Sequence, residues 1–155
     1  MAQVFTPHFT LHVIASNPHP KQTEYRVGRG YEQWDTQVSI RKTQMVYQGK
    51  VAGKVVPSFP ENTLDVVAVN HAMDLLSKGW GVYAKNKRNV VIVKKLNSGQ
   101  TEDQLCELAE DEVFDFYTDL YPNQVVETME RKREKLDGDL VAFVFDVNIG
   151  FNTQV

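Results

Sequence analysis

Residues 82–95 read VYAKNKRNVVIVKK. How this stretch pairs decides how the rest of the chain is arranged. Val90 to Leu96 opens with a β-branched apolar run, and Trp80 to Ala84 has β character as well. Between them, Lys85-Asn-Lys-Arg-Asn89 is rich in residues that tolerate turn geometry. The pattern predicts an antiparallel hairpin with its cations on a solvated tip. It also poses a question of charge, because five cations fall within fourteen residues of a chain whose net charge is −3.

On the N-terminal side, Phe9 to Ala15 reads as a strand that ends in the loop Ser16-Asn-Pro-His-Pro20. Thr23 to Val27 is a second, short strand before Gly28-Arg-Gly30. Thr36 to Tyr47 alternates apolar and polar residues, the signature of a half-buried strand. Gly49-Lys50 marks a turn, and Val51 to Val56 continues in β character until Pro57 and Pro60 stop it. These segments form an antiparallel meander. A helix follows Pro60, with Asn62 or Thr63 as its cap and Leu64, Val67, Ala68, His71, Leu75 and Leu76 as its apolar stripe. Gly79 falls at the position where a helix end usually needs a positive φ.

On the C-terminal side, Asn97-Ser-Gly-Gln100 is a linker, and Thr101 with Gln104 makes a capping box. Leu105, Leu108, Ala109, Val113, Phe116 and Leu120 give the second helix its buried stripe. Pro122 then opens an expected third helix with Val125, Val126, Met129 and Leu136 on its apolar side, ended by Gly138. Leu140 to Val147 is apolar almost throughout and reads as a central strand covered on both faces. The expected fold is a single α+β domain over residues 1–155, a mostly antiparallel sheet with about three helices packed chiefly on one face.

Composition sets the outer bounds. A hydrophobic content of 42% and a charged content of 24% argue for a folded chain rather than a disordered one. A single cysteine, Cys106, excludes an intrachain disulfide framework and a cysteine-rich zinc site. The short run Phe9 to Ala15, broken by His12, is no membrane span and a poor signal peptide, so a cytoplasmic location is expected. Charge is segregated along the chain. Residues 21–95 carry 13 basic and 6 acidic groups, whereas residues 101–155 carry 4 and 14. Such asymmetry points to a charged partner.

The motifs that would name a chemistry are absent. Gly49-Lys-Val-Ala-Gly-Lys54 is one residue short of a phosphate loop and leads into Val55-Val56-Pro57, not a helix. Gly28-Arg-Gly30 has no third glycine for a dinucleotide site. His8 and His12 flank a strand, where four residues span roughly 13 Å, too far to share one ion directly. His19 lies between prolines, and His71 sits on a packing stripe, where a core histidine is the better reading. Cys106 lies among carboxylates that disfavour a thiolate. No catalytic residue, metal site or cofactor is therefore assigned.

The strongest functional signal is the interleaving of cations and aromatics. Arg26, Arg29, Trp34, Arg41 and Lys42, with Lys85, Lys87 and Arg88, could form a basic β surface that neutralises phosphates and stacks on unpaired bases. Tyr25, Tyr31, Tyr47, Lys50 and Lys54 lie in the same segment. Its counterpart is the acidic stretch Glu102 to Asp119, eight carboxylates without a cation, in which Glu107, Glu110, Asp111 and Asp115 could face a basic protein. The expectation is a non-enzymatic interaction protein with a macromolecular partner, nucleic acid among the candidates and a membrane excluded. The alternative is a small hydrolase or nuclease whose site is dispersed in sequence. A deep pocket gathering His12 or His71 with carboxylates would favour the enzyme, and a flat basic surface the binder.

Overall fold

The computed structural model describes residues 4–151. It is an α+β arrangement of one seven-stranded sheet and two helices. The first four strands, β1 (Thr6–Ile14), β2 (Thr23–Gln33), β3 (Gln37–Tyr47) and β4 (Lys50–Ala52), form the expected meander. Helix α1 (Asp65–Ser77) follows, then β5 (Lys87–Lys95), α2 (Glu102–Leu120), β6 (Gln124–Lys135) and β7 (Leu140–Phe151). The spatial order is β4-β3-β2-β1-β5-β7-β6. Every neighbouring pair is antiparallel except β1 and β5, which run parallel and meet at His12 and Val90.

The hairpin expected around Lys85–Asn89 does not form. β5 takes β7 as its long antiparallel partner, from Lys87 opposite Asn148 to Lys95 opposite Leu140. Only Ala84 and Lys87 bridge across the Lys85–Asn86 turn. The 80–84 segment instead lies along β1: the Val82 N–H donates to the Thr10 carbonyl at 3.0 Å, and the Thr10 hydroxyl donates to the Val82 carbonyl at 2.8 Å. A central strand buried on both faces gains more from a long partner of its own kind than from a short neighbour containing Gly81.

The third helix is also overturned, because residues 124–135 are strand β6. Val126, Thr128 and Glu130 turn inward while Val125, Glu127 and Met129 are exposed, a period of two rather than 3.6. The Lys, Arg and Glu residues here favour a helix as an isolated peptide. Pairing with β7 along the whole segment, Val126 opposite Ile149 and Thr128 opposite Val147, overrides that preference.

The two helices lie on opposite faces of the sheet, not chiefly on one. Alternation along β5 shows why: Val91 and Val93 pack under α1 with Leu11, Val27 and Leu75, while Val90 and Ile92 pack under α2 with Phe143 and Phe145. β7 serves both layers, as its continuous apolar run requires, with Ala142 and Val144 toward α1 and Phe143, Phe145 and Val147 toward α2. Each fully buried Val, Leu or Phe contributes about 1.5–3 kcal/mol relative to exposure.

Helix ends follow the local signals except at the start of α1, where Leu64 rather than Asn62 or Thr63 is the N-cap and no side chain caps the helix. Thr101 and Gln104 close the capping box on α2. Gly79, at φ +91°, ends α1, with its N–H on the Leu76 carbonyl and the Trp80 N–H on the Leu75 carbonyl. β2 runs straight through Gly28 and Gly30, beyond the end expected at Val27. At Gly30 the chain of β1 approaches so closely that a Cβ would lie 1.9 Å from the Thr6 carbonyl oxygen.

Candidate anion-binding site

Helix α2 covers the β5-β7-β6 half of its face. The other half, over β1, β2 and β3, is left to a pocket of about 520 Å³ beside the C-terminal end of α2. This volume lies within the range of small-molecule sites, roughly 300–1,000 Å³. Strand alternation places its floor: His12 of β1, Glu24 and Arg26 of β2 and Val46 of β3 all point to the α2 side. Tyr83, Lys85 and Lys87 line it from the turn before and at the start of β5, and Arg88 and Tyr121 complete it.

At its base is a buried polar chain. His12 Nδ1 lies 3.0 Å from Glu24 Oε1, and the Tyr117 hydroxyl donates to the same oxygen. Glu24 is 1% exposed and Tyr117 fully buried. Burial by itself pushes the Glu24 carboxyl up. The His12 imidazole, the Tyr117 hydroxyl and the charge of Arg88 more than offset that and hold it below the usual carboxylate range. An ionised carboxylate only accepts, so the imidazole proton sits on Nδ1. Nε2, on the far side of the ring, takes no hydrogen-bond partner among the described residues. Burial beside this carboxylate keeps the Tyr117 phenol protonated, well above its usual range.

Two guanidiniums flank this chain, and neither forms an ion pair with a carboxylate among the described residues. Arg26 sits across from His12 in the β1–β2 ladder and donates through one Nη to Gln44 at 2.6 Å. Its Nε is buried without a partner, and its guanidinium lies 5.8 Å from the centre of the Tyr83 ring. Burial lowers its pKa, the Tyr83 phenol opposes that, and the like charge of Arg88 adds to it. Arg88 donates to the carbonyls of Ala84, Lys85 and Lys87, holding the turn in place, and to the Tyr121 hydroxyl at 3.1 Å. Arg26, Arg88 and Glu24 together leave one positive charge uncompensated in the pocket's interior.

The structure gathers four of the eight residues read as a basic surface, Arg26, Lys85, Lys87 and Arg88, and distributes the other four. Arg29 and Arg41 oppose each other on the α1 face, where Arg29 lies over the Phe9 ring at 4.9 Å and Arg41 reaches the Met73 carbonyl at 3.5 Å. Lys42 is on the α2 face but is ion-paired with Glu32 at 2.5 Å. Trp34 is exposed in the β2–β3 turn. On α2, Glu107, Asp111 and Asp115 are exposed, and Glu110 accepts from the Thr128 hydroxyl at 2.8 Å. His71 is on the buried side of α1, across the sheet from the pocket, its Nε2 3.4 Å from a Glu134 oxygen. Sequence reasoning passed over Glu24, Tyr83, Tyr117 and Tyr121. The signal that could have found the first is a carboxylate amid the β-branched and aromatic residues of a strand, diagonal to a histidine that interrupts the next one.

Among the described residues, no group of three His, Cys, Asp or Glu side chains could hold a metal ion, and no helix is long and apolar enough to cross a membrane. The site is a small cation-lined pocket on an open half of an α+β sheet. No known protein family, curated protein or solved structure matches the chain.

Proposed function

We propose that this chain binds a phosphate-bearing ligand in the pocket between β1–β3 and the end of α2, a nucleotide or the terminal nucleotide of a single strand. The observation that carries this reading is the pair of guanidiniums, Arg26 and Arg88, facing a single buried carboxylate. Neither guanidinium is ion-paired with a carboxylate among the described residues, and a guanidinium can meet two phosphate oxygens at once. Lys85 and Lys87 line the pocket and draw anions in, and the exposed Tyr83 ring offers a face for a base.

Calorimetric titration with inorganic phosphate, a mononucleotide and a short single-stranded oligonucleotide, at two salt concentrations, tests the reading. Phosphate and mononucleotide should bind, and Arg26→Gln should weaken both about tenfold or more. An oligonucleotide that binds much more tightly than the mononucleotide, with a salt slope above that of one phosphate, assigns the strand end as the ligand. Absence of binding by all three at low salt overturns the proposal.

A second reading rests on α2. Its outward arc carries Glu107, Asp111 and Asp115 beside Leu108 and Phe114, which are 56% and 41% exposed. Apolar side chains set within a carboxylate row suit a basic protein partner. Reversal of the three carboxylates to Lys would abolish such an interaction and leave phosphate binding intact.

A further inference from the structure

The pocket holds more than a binder needs. Two arginines suffice to hold an anion, yet the pocket wall also carries an imidazole whose Nδ1 is fixed by a buried carboxylate, itself held by Tyr117. Burying such a pair carries a desolvation cost that an apolar pair of similar volume would avoid. Its chemical consequence is that the neutral imidazole has a fixed tautomer, with Nδ1 protonated and the lone pair left on Nε2, in a residue that lines a cavity collecting cations. An oriented base beside a charge-stabilising cluster is the constellation of hydrolytic sites.

We infer that the pocket hydrolyses a phosphodiester, with His12 as general base, an activity that rests on the anion-binding reading above. Four cations, Arg26, Arg88, Lys85 and Lys87, line the pocket against the single carboxylate of Glu24, which favours a phosphate ester over a neutral ester as substrate. In the step, His12 Nε2 takes a proton from a water molecule as the water oxygen bonds to phosphorus. The P–O bond to the leaving group breaks in line with that attack. The leaving oxygen takes a proton from solvent, and the imidazolium releases its own to solvent. One diester and one water give a phosphomonoester and an alcohol. Arg26 and Arg88 stabilise the charge gathering on the non-bridging oxygens. Glu24 and Tyr117 are positioning residues, because they act only through the orientation of the ring.

The test uses the full chain with bis(4-nitrophenyl) phosphate, following nitrophenolate release, and measures phosphate affinity separately by calorimetry. Turnover should fall about 10²–10⁴-fold in His12→Gln, the usual contribution of a general base, with phosphate affinity nearly unchanged. Added imidazole should restore part of the rate in His12→Ala, which a structural role for His12 would not permit. If neither variant folds, the unaltered chain decides: inorganic phosphate must inhibit hydrolysis competitively, with an inhibition constant equal to its calorimetric dissociation constant. Phosphate binding without diester hydrolysis overturns this inference alone. Full activity in a folded His12→Gln variant also overturns it. Absence of phosphate binding removes both this inference and the reading beneath it.

Discussion

Tyr117→Phe removes one oxygen from the centre of the molecule and leaves the rest of the side chain in place. The ring keeps its packing against Phe116, with centroids 4.9 Å apart. What is lost is the hydroxyl's hydrogen bond to Glu24, a carboxylate only 1% exposed. A hydrogen bond to a charged group contributes about 1.5–3 kcal/mol, and burial this complete leaves little solvent to replace it. For a domain of this size, each kcal/mol moves Tm by about 2–4 °C, so a drop of roughly 3–12 °C is expected at neutral pH. The pH dependence carries a second signature. The folded-state pKa of Glu24 is lowered, so its stabilisation is fully present above the ordinary glutamate value of about 4.3. It is lost as pH falls through the depressed folded value. The difference between parent and variant should therefore be largest near pH 7 and shrink under acid. Thermal denaturation followed by circular dichroism from pH 3 to pH 7 measures both. A loss below about 0.5 kcal/mol, or a gap that stays constant down to the lowest pH, would refute the charge-assisted bond.

Further outcomes follow from the packing. Gly30→Ala should cost about 2–3 kcal/mol, read as a lower urea midpoint, because its Cβ would strike the β1 backbone at Thr6 and Pro7. Cys106 is 7% exposed, and burial, helped by Glu130, pushes its thiol up to about 11. At pH 8 about one thiol in a thousand is then ionised, so iodoacetamide should label it slowly until denaturant is added. His71→Gln should lower stability by about 1–2 kcal/mol, since the imidazole is buried on the inner side of α1. Phosphate affinity should not change in this variant, because the pocket is on the other face of the sheet.

Where a local signal suffices, the chain's own residues set the structure. Thr101 and Gln104 can satisfy the first amides of α2 whatever packs around them, and Gly79 relieves the steric cost of ending α1 at a positive φ. The β1–β4 meander follows from alternation with short connections, and the double burial of β7 from an apolar run that leaves no polar face. Pairing between distant segments has no such local signature. β5 could close on the 80–84 run or on β7. The choice falls to β7 because its apolar residues complete both layers beneath α1 and α2. Residues 124–135 have helix-forming side chains, yet they become a strand once β7 supplies a partner along their length. The pocket is set at the same level. Arg26 and Arg29 are three residues apart, but strand alternation sends one to the α2 face and the other to the α1 face. His12 and Glu24 become neighbours only through the β1–β2 register, and Tyr117 reaches them from a helix 93 positions along the chain from Glu24. Composition and spacing determined that the chain would fold around a mostly antiparallel sheet with segregated charge. Only the tertiary register decided which charges meet, because a shift of one residue in β2 would turn Glu24 and Arg26 away from His12.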